Sequence, residues 1–139
     1  MPNADLWSHF SAQDWAAFAR SWLSELRGAP KEHGGECGEK VVLMNFTATA
    51  EQQWAFIQAA VEQARSDDEF GAIAAGPLEH LLGHHGDRYI GSAENLATAS
   101  TSFARTLTGV NKYMMSESTW ARVRKMQQAV VAPLWSSVT

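Results

Sequence analysis

Ser66 to Ile90 reads SDDEFGAIAAGPLEHLLGHHGDRYI, and the expected arrangement of the whole chain follows from it. Phe70, Ile73, Ala74, Pro77, Leu78, Leu81, Leu82 and His85 succeed one another at spacings of three and four, which is one face of an α-helix. The phase persists through the proline. A proline inside a helix lacks an N–H and presses its ring toward the carbonyl four residues back, here Ile73. Gly76, without a Cβ, eases the clash that proline makes with its preceding residue. The spacing therefore predicts a central helix kinked at Pro77, or two nearly collinear helices sharing one buried stripe.

Working outward, the start of this stretch carries a capping signature, Ser66 with Glu69 three residues on. The same device precedes two other apolar periodicities. Ser11 with Asp14 opens Trp15, Phe18, Ala19, Trp22, Leu23 and Leu26, and Thr49 with Gln52 opens Trp54, Ile57, Val61 and Ala64. The aromatic stripe of the first helix reads as core, because large rings dominate buried area. Gly86 suits a left-handed C-terminal cap, after which Asp87 begins a helix with Tyr89, Ile90, Ala93 and Leu96. Ser100 or Thr101 starts a shorter one with Phe103, Leu107 and Val110. Ser116 caps the last, with Trp120, Val123, Met126 and Gln127, before Pro133. These signals predict an all-α chain, one helical domain over residues 1–139. Its helices form a compact stack of hairpins, solenoid-like or a bundle.

Two segments interrupt the pattern. Residues 28–40, GAPKEHGGECGEK, are rich in glycine and nearly devoid of apolar side chains, and they read as a surface loop. Val41 to Phe46 is a short apolar run with no second strand to pair with, and it reads as an extended lead-in to the following helix.

Composition removes several functions. A length of 139 residues with 45% hydrophobic content suffices for one core. The net charge of −4 gives no basic face for nucleic acid, and it permits a basic protein partner. Cys37 is the only cysteine, so neither an internal disulfide nor a multi-cysteine zinc site can form, and a cytoplasmic setting is expected. No window approaches the roughly 20 apolar residues of a membrane span, and the N-terminal residues lack the pattern of a secretory signal. There is no phosphate loop, nucleophile elbow or dinucleotide fingerprint, and no cofactor is expected.

The remaining chemistry-bearing groups are histidines. His80 and His84 are four apart and project from one side of a helix, as zinc-binding pairs do. The order is not H-E-x-x-H, and the pair lacks a third ligand on the same face. His85 continues the Leu78, Leu81, Leu82 stripe and reads as a buried ring bonded to a carboxylate or a carbonyl. A cluster of Arg122, Arg124 and Lys125 on the last helix reads as a solvated basic face complementing the helix dipole.

The core Ile73 to Gly86, IAAGPLEHLLGHHG, resembles a bacterial family catalogued as domain of unknown function 6869. That family carries I-A-A-G-P-L-E-x-L-L-x-x-H-G and then an aromatic or aliphatic pair, here Tyr89 and Ile90. The likeness extends through Phe103, Leu107, Val110 and Trp120, roughly the second half of the chain. It implies a small helical cytoplasmic protein and carries no catalytic residue over. Gly76, Pro77, Leu78, Glu79, Leu81, Leu82, His85 and Gly86 match as a folding motif, while His80 and His84 fall at variable positions. Small acidic helical domains of this kind resemble immunity proteins, which neutralise a cognate toxin by direct binding. The expected function is accordingly that of a non-catalytic protein-binding module. Its contact candidates are Glu32, Glu36, Asp67, Asp68, Glu69 and Asp87 together with the 28–40 loop. The alternatives are a metal-binding protein or hydrolase using His80, His84 and His85, and a small regulatory or scaffold subunit.

Overall fold

The structure, a computed structural model, describes residues 6–28 and 35–134. Among these residues every regular element is helical, as the capping and periodicity signals indicate. The elements are α1 (Ala12–Arg27), α2 (Glu36–Thr47), α3 (Ala50–Gln63), α4 (Asp67–Ile73), a π-helical turn (Ala74–Leu78), α5 (Glu79–Ala99), α6 (Thr101–Leu107) and α7 (Glu117–Gln128). Their contacts group into two compact units, Met1–Ala64 and Arg65–Thr139.

The first unit is three helices around aromatic rings. Both capping boxes form. Ser11 Oγ accepts from Asp14 N–H while Asp14 accepts from Ser11 N–H, and Thr49 and Gln52 do the same. These caps place Trp15, Trp22 and Leu23 of α1 against α3. Phe56 sits among the rings, 5.0 Å from Phe18, 5.7 Å from Trp22 and 6.3 Å from Trp15 between centroids. Such aromatic pairs add about 0.5–1.5 kcal/mol each beyond their buried area. Leu26, at the end of the predicted stripe, is 43% exposed.

Residues 36–40 are not loop, and Val41 to Phe46 is not extended: both belong to α2. The reason lies at a distance in sequence. The Glu25 carboxylate on α1 accepts from the backbone N–H groups of Cys37 and Gly38, each at 2.9 Å. It thereby satisfies free donors at the start of α2 and places negative charge at the positive end of its dipole. A Cβ on Gly35 would overlap that carboxylate. At the other end Trp7 Nε1 donates to Thr47 Oγ1 at 2.8 Å. With its start beside Glu25 and its end beside Trp7, α2 runs antiparallel to α1.

The second unit is organised on the rod formed by α4, the π-turn and α5. Ser66 Oγ accepts from Glu69 N–H, but the reciprocal bond differs from a capping box, because Glu69 Oε1 accepts from Arg65 N–H at 2.8 Å. Phe70, Ile73, Ala74, Pro77, Leu78, Leu81 and Leu82 are all buried, so the stripe continues past the proline. The irregularity predicted at Pro77 is the π-turn itself, a widened turn that accommodates a residue with no N–H to give. The break expected around Gly86 falls one residue earlier, where two helical stretches meet at a kink. His85 takes φ −133°, ψ 24°, an interruption after which α5 runs on to Ala99. Gly86 is needed for a close approach and not for a left-handed cap, since a Cβ there would lie 2.8 Å from Thr119 Cγ2 on α7. Gln127, buried on α7, donates to the carbonyls of Leu107 and Val110 at 2.8 Å each, which secures the end of α6.

Candidate functional site

The histidine end of the rod is an aromatic cluster. His80 and His84, one turn apart on α5, have ring centroids 4.3 Å apart, and Tyr113 lies 6.3 Å and 5.8 Å from them. His85 is half-buried, with its ring 6.5 Å from that of His84. The backbone break at His85 turns it out of the fully buried stripe on which the sequence placed it. Burial lowers the pKa of His80, and the neighbouring His84 and His85 lower it further. Burial likewise lowers that of His85, followed by His84 and Arg88. Both rings are thus held toward the neutral form. A cavity of about 470 Å³ lies beside His84 and His85, with Asp87, Met114 and Ser116 also in its walls. Among the described residues no three histidine, cysteine or acidic side chains converge as a metal would require.

Glu79, Gly83 and Asp87 of α5 seat the connection between α6 and α7. Glu79 Oε1 accepts from Asn111 N–H at 2.8 Å. Gly83, which the signature leaves variable, allows the backbone of Tyr113 to press on the helix: a Cβ there would overlap the Tyr113 carbonyl oxygen. The next residue, Met114, adopts φ 58°, a left-handed conformation unusual for a residue with a side chain. Asp87 accepts from Ser116 Oγ at 3.1 Å and Thr119 Oγ1 at 2.7 Å, and Ser116 in turn caps α7. Those two hydroxyls, Thr119 first, lower the Asp87 pKa.

The acidic contact candidates do not form one patch. Glu69 is only 6% exposed and acts as a cap. Asp67 pairs with Arg105 at 3.0 Å, and Asp87 is engaged with α7. Asp68 is exposed at the start of α4. Glu36 is exposed on the first turn of α2, where it pairs with Lys40 at 3.4 Å. Glu32 lies outside the described residues, as do 29–34 of the glycine-rich stretch.

A surface that the sequence reading missed is the outer face of α2. The helix buries Val41, Met44 and Asn45 and turns Val42, Leu43 and Phe46 outward, 55%, 46% and 69% exposed. Leu6 is 55% exposed, and it precedes Trp7, which is tied to the last residue of α2. Glu36 and Glu39 stand on the first turn of the same helix. A helix apolar on both sides is ordinarily enclosed on both, and contiguous exposed apolar side chains mark interaction surfaces. The available signal was the pair of acidic residues just ahead of the run VVLMNF, which suits a helix start better than a loop.

Among the described residues the chain is all-helical, and its second unit is built on a proline-containing rod. The chain belongs to the family of unknown function DUF6869, which matches residues 29–131. That match takes in α2 and α3, and it reaches further than the second half indicated by the signature alone. No curated protein and no solved structure matches the chain. Among the described residues no helix is long and apolar enough to cross a membrane.

Proposed function

We propose that the protein is a non-catalytic binding module that holds a protein partner against the outer face of α2. The observation that carries this reading is the row Val42, Leu43 and Phe46, large apolar side chains exposed on one helix. Apolar anchors of this kind supply most of the affinity of an interface, and surrounding polar residues contribute register and specificity. Glu36 and Glu39 beside the row, in a chain of net charge −4, suit a partner with basic residues around an apolar patch. The particular form we favour is an immunity-type protein of a bacterium, acting in the cytoplasm, that covers the active surface of a cognate toxin. Its acidic balance and all-helical fold support that form.

The test is affinity capture from the native host with wild-type protein and with Phe46→Asp, each verified as folded by circular dichroism. A defined protein retained in stoichiometric amount by the wild type and lost from Phe46→Asp is the expected result. Equal retention by both, or capture of nothing but the chain itself, would overturn the reading.

A further inference from the structure

A second hollow, away from the histidines, lies between the last turns of α5, the α6 helix and the end of α7. It encloses about 600 Å³, within the range of small-molecule sites in proteins. Its walls come from Ala97, Ala104, Met126, Ala129 and Val130, with Val131 at the rim. Alanines stand where larger side chains would fill the space, and Val131 is 99% exposed.

The charges at the mouth are unequally committed. The Glu94 carboxylate is held by Arg122, whose Nε donates to it at 2.9 Å. Arg105 is a strut, with Nε donating to the Ala132 carbonyl at 2.7 Å and a terminal nitrogen to Asp67 at 3.1 Å. Lys125 lines the same hollow, makes no ion pair within 4.0 Å of a described residue, and acts on the Glu94 carboxylate only through space. Two cations, Arg105 and Lys125, and one carboxylate, Glu94, therefore line the hollow, in a chain whose net charge is −4. An apolar hollow with an ammonium at its edge that has no close ion-pair partner is complementary to a molecule with an apolar body and a single anionic head.

We infer that this hollow binds a small amphipathic carboxylic acid from solution, its chain among the alanines and its carboxylate at Lys125. The basic residues of α7 then act beyond solvation of a helix face. Arg122 removes a competing carboxylate, and Lys125 receives the ligand.

Isothermal titration with decanoate, decan-1-ol and decylamine, each below its aggregation concentration, tests the assignment on the full chain. Decanoate is expected to bind at one site and decylamine more weakly. Lys125→Met should weaken decanoate by about fivefold, the scale of one partly exposed charge pair, and leave decanol unchanged. Ala129→Phe should abolish decanoate binding while the thermal transition persists, with Ala97→Phe as the second filling variant if the first fails to fold. The inference is overturned if wild-type protein takes up no decanoate, if a folded filling variant still binds it, or if decylamine or Lys125→Met gives the same affinity as decanoate on the wild type.

Discussion

Two glycines eight residues apart on α5 should respond to the same substitution with opposite sign. Gly91 has nothing within 4 Å of where a Cβ would sit. Gly91→Ala therefore gains only the helix preference of alanine over glycine, about 0.5–1 kcal/mol. At Gly83 that gain is opposed by sterics. The added methyl would overlap the Tyr113 carbonyl oxygen and come within 2.7 Å of its ring Cδ2. Backbone cannot swing aside as a side chain tip can, so the segment carrying Asn111 to Ser116 must move, and overpacking of this kind costs about 1–3 kcal/mol. The net effect of Gly83→Ala is a loss of about 1–2 kcal/mol. For a chain of this length 1 kcal/mol corresponds to about 3–5 °C, so the two variants should melt on the order of 10 °C apart, on either side of the wild type. Circular dichroism at 222 nm against temperature, with urea titration as a second measure, reads this directly. Stabilisation by both substitutions would refute the seating of Tyr113 on Gly83.

Glu25→Ala should cost about 1–2 kcal/mol, the scale of a lost helix cap, with hydrogen exchange at the Cys37 and Gly38 amides accelerating before that of α3. Burial and then the Glu25 charge raise the Cys37 pKa, so the same variant should also alkylate faster with iodoacetamide at pH 7.5. The histidines give a pH dependence. With their folded pKa values lowered, the unfolded chain binds more protons near and below about pH 6.5, so stability is full above that value and declines as pH falls toward the folded values. His80→Gln should flatten the decline between pH 6.5 and 5 in urea melts, and an unchanged slope would contradict the burial assigned to that ring. Ser116→Ala removes the cap of α7 and one donor to Asp87, and a loss of about 1 kcal/mol is expected by urea titration.

Much of this architecture is legible in the residues, because the signals concerned are local. The hydroxyl at Ser11, Thr49, Ser66, Ser100 and Ser116 each accepts from a backbone N–H three residues on, and the period around Pro77 stays in phase because a single widened turn absorbs the missing donor. What escaped is non-local. The start of α2 depends on Glu25, twelve residues before Cys37 in sequence, so glycines that suggest a loop belong to a helix capped from another one. Gly86 reads as a turn residue in sequence because the neighbour that requires it, Thr119, is supplied by a different helix. The apolar row of α2 was hidden by the same error, since an extended run assigns Val42, Leu43 and Phe46 to no common face. Glu69 and Asp87 carry charge that the fold consumes in capping, and net charge alone cannot distinguish such groups from free surface acids.

The most direct measurement is a hydrogen-exchange footprint of the wild-type chain with and without the partner retained in the capture experiment. Added protection over residues 36–47, with 79–90 and 113–116 unaltered, is the expected outcome. Protection confined to the histidine end of α5 and Tyr113 to Ser116, with α2 exchanging as it does alone, would contradict the assignment of α2 as the binding face.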